Sequence, residues 1–220
     1  MSKQYKTDAV YKIIKEAKGK DLEQGNLYLM NVPVTFAAVI KATKKYQSEE
    51  LAWQTNLFVD KETKAKLDDI GINKEFAEVG VTKIKKGTNR GNLKYPLNEH
   101  NEAYAGMFAA QFGRDVLNKK GEPRTPIKVV SPDGEAFTKD VGNGSICNIK
   151  MYGYRNEDGM LVVMLDTVVV VEHVPYERSE GLHDDILGVT IKTKKDDVAA
   201  PAKVDDTDEI DFSDDESSPF

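Results

Sequence analysis

A lysine and two tyrosines at every second position, Lys150, Tyr152 and Tyr154, are the residues whose types and spacing suggest chemistry most directly. In an extended chain they share one face, where aromatic rings can stack on flat π-systems and an ammonium can pair with a phosphate. The same pattern also fits tyrosines that cover a core and keep their hydroxyls in water. A second concentration lies between Lys83 and Tyr95. Lys83, Lys85, Lys86, Arg90 and Lys94 place five cations within twelve residues, interrupted by Gly87 and Gly91 and followed by an aromatic ring. A loop of this composition can track a chain of phosphates, or it can simply be solvated. Phe108, Phe112 and Arg114 recur at alternate positions and complete the candidates, although the two phenylalanines also fit a core.

Residue types that do covalent chemistry are present without the spacing it needs. His173 and His183 stand ten apart beside Glu172, Asp184 and Asp185, which matches no metal-ligand pattern. Gly142-Asn143-Gly144-Ser145 lacks the Gly-Lys-Ser or Gly-Lys-Thr ending of a phosphate-binding loop. Cys147 has no evident base beside it and, as the single cysteine, no intrachain disulfide partner, which suits a reducing compartment. No metal, cofactor or catalytic residue is expected. Asp140 and Asp166, as ligands of magnesium in a nuclease, are kept only as an alternative.

Charge divides the chain. Residues 1–195 carry 30 basic and 27 acidic side chains, whereas residues 196–220 carry one lysine, Lys203, and ten acids, and end in Ser218-Pro219-Phe220. A dense acidic end on a mildly basic body is the arrangement of a body that binds a polyanion and a tail that imitates it. A solubilising end would show the same acids but has no need of a terminal aromatic. The N-terminus leads into a mixed-charge segment without the apolar run of a signal peptide, and no run of 18 apolar residues occurs, so an intracellular protein without a membrane segment is expected.

The elements that must position these residues read mostly as strands. Ala9, Val10, Ile13, Ile14 and Ala17 at helical spacing predict an amphipathic helix over Asp8 to Ala17. Leu27 to Val39 is strand-like but contains Pro33, which predicts an edge strand or two short strands. Leu51 to Val59 alternates as a half-buried strand, and Lys61 to Ile70 reads as a helix capped by Asp60 and ended by Gly71. Val81 to Lys86 reads as a strand, Met107 to Arg114 as another, and Ile127 to Val130 as a third before the turn Ser131-Pro132-Asp133-Gly134. Ile146 to Arg155, a turn at Asn156 to Gly159, and Met160 to Val174 form a long antiparallel hairpin.

Five or six strands with short helices and no βαβ alternation predict an all-β fold with added short helices. The preferred form is an OB-fold, a five-stranded Greek-key barrel, over residues 1–195, followed by a disordered acidic tail at 196–220. Its sheet face and loops form a groove suited to single strands, which expose bases that a duplex hides.

Through Leu51 to Ile70, Val129 to Glu135, Gly142 to Ser145 with Lys150 to Tyr154, Met160 to Val171 and the tail, the chain resembles the bacteriophage replication single-stranded-DNA-binding proteins. Its Pro219-Phe220 ending is similar to that of the bacterial counterparts. The resemblance implies a non-enzymatic protein that coats single-stranded DNA without strong sequence preference during phage replication, recombination and repair, in the cytoplasm of an infected bacterium. It implies a groove drawing on Lys83, Lys85, Lys86, Arg90, Lys94, Tyr95, Phe108, Arg114, Lys150, Tyr152 and Tyr154. It also implies a tail whose Asp211, Phe212, Asp214, Asp215, Glu216, Pro219 and Phe220 recruit DNA polymerase and helicase-primase and compete with DNA for the groove. In those phage proteins a strand ahead of the Val129 strand carries Lys and Tyr. Phe108 to Phe112 lacks both here, which leaves Tyr95 or Phe108 to take over. An adaptor with the tail as its main ligand is the alternative from another class, and association of copies through the edge near Pro33 or through the tail stays open.

Overall fold

The computed structural model describes residues 5–18, 22–45 and 48–176 in full, and 182–184 and 189–191 by their backbone. The tail and its candidate partner-binding residues lie outside the described residues. The first element is a strand, β1 (Asp8–Lys15), and not the helix that local spacing predicts. It pairs antiparallel with β2 (Gln24–Lys44), from Asp8 opposite Met30 to Ile13 opposite Gly25. Val10, Ile13 and Ile14 are β-branched, and the open edge of β2 offers ladder hydrogen bonds to a segment too short to be a stable helix alone. Gly25 permits the approach: a Cβ there would lie 2.5 Å from the Lys12 carbonyl oxygen and 2.7 Å from the Tyr11 ring. Val10, Ile13 and Ile14 consequently stand exposed.

Pro33 does not break the chain into short strands, because β2 is one 21-residue strand at the centre of the sheet. On one side β2 pairs with β1 as far as Met30, then with β3 (Leu51–Val59) from Val34 onward. On the other it pairs with β7 (Ile146–Arg155). Val34 bonds towards the β7 side, donating to the Ser145 carbonyl (3.0 Å) and accepting from the Gly144 N–H (2.9 Å). By alternation, the side of Pro33 that lacks an N–H faces the gap between the β1 and β3 ladders, where no ladder bond is lost.

Beyond β3 the sheet continues to β5 (Phe108–Asp115) and the two-residue β4 (Ala77–Glu78); beyond β7 it continues to β8 (Leu161–Glu172) and the parallel β6 (Lys128–Val130). The path β5-β3-β2-β7-β8 is antiparallel at each step, so β5 and β8 run parallel. They meet at a seam where Arg114 Nη1 donates to the Leu165 carbonyl at 3.4 Å. Five strands closed in this order on one long first strand are an OB-fold barrel, partly open at the seam. Leu27, Leu29, Val34, Leu57, Phe112, Ile149 and Leu165 fill its interior. A second core of Phe58, Ala77, Val79, Tyr95, Tyr104, Met107 and Ala109 lies on the outside of β3 and β5, where the chain between β4 and β5 folds back.

Local signals hold for helix α1 and for the turns at Gly134 and Gly159. Helix α1 (Lys61–Asp69) starts at Asp60, whose Oδ1 accepts the Thr63 N–H at 2.7 Å while Oδ2 accepts the Thr7 N–H at 2.8 Å. Burial opposes the Asp60 charge, but these donors win and hold the carboxyl below its ordinary range. Asp60→Ala is expected to cost about 0.5–2 kcal/mol in urea unfolding at neutral pH. Because the native carboxyl titrates below the unfolded one, the deficit should shrink as pH falls below about 3.9. An unchanged midpoint at pH 7 would sink this account of the cap.

The turn at Ser131 to Gly134 closes with Gly134 N–H to the Ser131 carbonyl (2.9 Å), and the β7–β8 hairpin turns at Asn156 to Gly159. Val81 to Lys86 is not a strand. It makes a single bridge, Lys83 opposite Leu93, in a loop bent at Gly87 and Gly91, both at positive φ. The chain divides into two compact units, Met1–Glu177 and Arg178–Phe220. In the second, β9 (Leu182–Asp184) pairs antiparallel with β10 (Val189–Ile191). No helix among the described residues is long and apolar enough to cross a membrane.

Candidate nucleic-acid interface

The alternation of β7 turns Ile149 and Met151 inward and Asn148, Lys150, Tyr152 and Tyr154 outward. Register sets their neighbours: Tyr28 lies opposite Lys150 and Asn26 opposite Tyr152 on β2, while Met164 lies opposite Tyr152 and Val162 opposite Tyr154 on β8. Tyr28, Tyr152 and Tyr154 are each half-buried, so the outer sheet surface presents three phenol rings with part of each in water. Lys12 on β1 adds a cation 5.7 Å from the Tyr28 ring centroid. Lys150 is bound to Asp166 at 2.9 Å. Burial opposes ionisation of Asp166, but the Lys150 bond and charge, the Thr167 hydroxyl and the Arg114 charge together hold its carboxyl below the usual value. A phosphate that pairs with Lys150 must therefore share it with Asp166.

Tyr154 and Met164 also wall a cleft of about 1170 Å³ that crosses the outside of the β5–β8 seam. Its other walls are Glu49 to Leu51, from the connection between β2 and β3, and the loop Asp115 to Arg124. Leu51 and Leu117 expose apolar surface inside it, and Lys119 and Lys120 stand exposed on the loop. Arg124 Nη1 reaches the Met164 sulfur at 3.7 Å, while its Nε, although buried, has no hydrogen-bond partner. Acids balance these cations in part: Lys45 bridges Glu50 (2.8 Å) and Asp115 (2.7 Å), and Lys44 pairs with Glu49. The cleft thus combines aromatic and apolar surface with guanidinium and ammonium groups, which suits a strand whose bases stack and whose phosphates need only part of their charge compensated.

The other sequence candidates are distributed differently. Tyr95 is 8% exposed in the outer core, where burial pushes its hydroxyl up to about 12, so its ring has no open face for stacking. Phe108 faces inward and packs against the barrel core, with Lys64 Nζ 5.8 Å from its ring centroid. Arg114 also turns inward and clasps the seam through Leu165 and Thr125; burial weakens its hold on its proton, and nearby Arg124 adds to this. The structure thus places Tyr95 and Phe108 in packed apolar clusters and Arg114 across the seam. Lys83, Lys85, Lys86, Arg90 and Lys94 are exposed, with Lys85 3.4 Å from Glu75. Their loop follows β4, which pairs with β5 and not with β7 or β8, so no ladder joins them to the strands that carry the tyrosines.

Arg124 and Tyr28 carried no decisive signal in the sequence. Tyr28 alternates with Asn26 and Gln24 on the polar face of β2, a pattern obscured by Pro33. Lys119 and Lys120 are visible as a charged turn, but their place beside Tyr154 is tertiary.

Among the described residues, Cys147 and His173 are both held by their surroundings. Cys147 is fully buried, and burial pushes its thiol up to about 12. His173 Nε2 lies 3.0 Å from the Asp140 carbonyl, and its ring meets Phe137 edge-on. Among the described residues no group of three His, Cys, Asp or Glu could hold a metal ion. The His183 side chain lies outside the described residues.

No family model matches the chain, and no curated protein matches it. Solved structures similar to it include phage single-stranded-DNA-binding proteins. The bacteriophage Enc34 protein, in a C-terminal truncation, is 12% identical over 76% of this chain and 98% of its own, with a TM-score of 0.44. The same phage protein in complex with single-stranded DNA is 14% identical over 76% and 99%, with a TM-score of 0.40. Bacteriophage T7 gp2.5, a single-stranded DNA binding protein, is 14% identical over 73% and 92%, with a TM-score of 0.43.

Proposed function

We propose that this chain is a non-enzymatic protein that coats single-stranded DNA without strong sequence preference. The observation that carries the reading is the outward face of β2 and β7, where Tyr28, Tyr152 and Tyr154 run into the cleft holding Lys119, Lys120 and Arg124. Rings supply sequence-tolerant stacking, because every base has a π-face, and the cations release counterions from the phosphates they pair with. One barrel of this kind covers roughly 4 to 16 nucleotides. Phage DNA replication, recombination and repair in the host cytoplasm are the setting that the sequence resemblance implies.

Anisotropy titration of a labelled oligothymidine tests the reading. Binding should tighten as salt falls, by about 0.7 log units per log unit of salt for each phosphate paired. Binding no tighter than to duplex DNA at low salt overturns it, and digestion of the strand on adding magnesium would turn the assignment to a nuclease.

The acidic residues 196–220 are proposed to compete with DNA for the cations and, once displaced, to offer Asp211, Phe212, Asp214, Asp215, Glu216, Pro219 and Phe220 to DNA polymerase and helicase-primase. Deleting 196–220 is expected to strengthen binding to oligothymidine, most at low salt where charges are least screened, and to abolish capture of those partners. Weaker DNA binding after the deletion contradicts the competition.

A further inference from the structure

Phe36 stands 58% exposed on β2 with a backbone φ of 50°. Bulky residues rarely adopt this left-handed conformation, and it is strained for them. The strain sits at a β-bulge, where Thr35 pairs with Asn56 and Ala38 with Gln54, so that Phe36 and Ala37 oppose Thr55 alone. Val32 and Val34 point inward, and regular alternation would carry Phe36 into the core with them. The bulge turns it out instead, and inward packing resumes at Val39. Elsewhere on the same strand, Asn31 has a φ of 54° and has its N–H held by Asn148 Oδ1 at 2.8 Å. Asparagine tolerates this conformation, so that bend needs no explanation beyond shape. At position 36 a ring occupies the same kind of strained bend.

The bend is braced from another part of the chain. Asn143 Oδ1 accepts the Phe36 N–H at 2.8 Å, and its Nδ2 lies 3.2 Å from His100 Nδ1. His100 Nε2 in turn lies 3.2 Å from Glu99 Oε1. The His100 ring meets the Phe36 ring edge to face, with centroids 5.4 Å apart. Beside the ring, the outer face of β3 and β5 carries Asn56, Gln54 and Gln111, neutral amides that can donate and accept at base edges, with Gln111 Nε2 donating to Gln54 Oε1 at 3.2 Å. Along this face the ladder runs from Asn56 to Ala52 opposite Asp115, which lines the cleft. Four residues span about 14 Å, a short reach for a site of roughly 4 to 16 nucleotides.

Resting on the reading of single-strand binding above, we propose that Phe36 is a stacking platform for an unpaired nucleobase at the far end of the strand path from Tyr154. The bulge holds the ring out in the unbound protein, so no rotation of backbone is needed when the base arrives.

Three substitutions in the full chain test this by oligothymidine anisotropy and thermal unfolding. Phe36→Gly suits the left-handed bend better and should leave the melting temperature unchanged or raise it, while weakening binding about 5- to 150-fold, the range of one lost stacked base. Phe36→Leu keeps apolar bulk without a π-face and should also weaken binding. Phe36→Trp should retain affinity, with the emission of its indole quenched at saturation. Wild-type affinity in Phe36→Gly, or unaltered emission in Phe36→Trp, overturns the proposal while leaving single-strand binding intact. A glycine variant that melts well below the wild type assigns Phe36 to packing and overturns it as well. Failure of the unchanged chain to bind oligothymidine overturns the functional reading, and this platform with it.

Discussion

Replacing Tyr152 and Tyr154 together with alanine should weaken binding to oligothymidine by roughly 1 to 3 kcal/mol for each ring that stacks. The effect on folding should be far smaller. Both rings are half-buried on the outer face, their neighbours across the strands are Asn26, Gln24, Met164 and Val162, and cross-strand pairs of this type contribute about 0.2–1 kcal/mol each. The salt dependence should stay as in the wild type, because no charge is removed and the number of paired phosphates is set by the lysines and arginines. Replacement by phenylalanine preserves the π-faces and should preserve most of the affinity. An alanine pair that binds like the wild type would leave the tyrosines as a cover over the hairpin and would remove the strongest support for the binding face.

The largest effect on stability is expected from Phe58→Ala. Phe58 is fully buried although it points outward from β3, because the chain between β4 and β5 lies over it. Its ring meets Tyr104 at a centroid distance of 4.3 Å and Tyr95 at 6.2 Å. Truncation would leave a cavity between sheet and cover, and cavities of this size cost about 3–5 kcal/mol. That is a large fraction of the ~5–15 kcal/mol that holds a domain folded. Urea unfolding should show the loss, and amide exchange should show protection falling first over 76–107, the segment that Phe58 anchors. A loss below about 1 kcal/mol would mean that this segment does not rely on Phe58 for its attachment.

What the chain makes legible is whatever depends on near neighbours in it. The alternation of β3 and β7, the Asp60 cap, the Gly71 stop and the turns at Gly134 and Gly159 follow from side-chain period and from φ preferences that act within a few residues. The barrel class followed from the number of strands and the lack of βαβ alternation. The β1 strand was not legible, because its helical spacing is local whereas its partner, β2, is chosen through Gly25 ten or more residues away. Pro33 looked like an interruption because only the sheet shows that its missing N–H falls between two ladders.

The candidate site divides in the same way. The Lys150, Tyr152 and Tyr154 face is visible from period alone. Tyr95 and Tyr154 are chemically identical in the sequence, yet one is enclosed by Phe58 and Tyr104 and the other walls an open cleft. Arg114 and Arg124 differ likewise: one clasps the seam from inside and the other lines the cleft across it. Which residues can stack on bases and pair with phosphates is legible in the chain alone, because those capacities belong to the side chains. Which of them meet solvent together is set by folding, because burial depends on what distant segments lay across each ring, and that is a property of sheet pairing and not of any window of sequence.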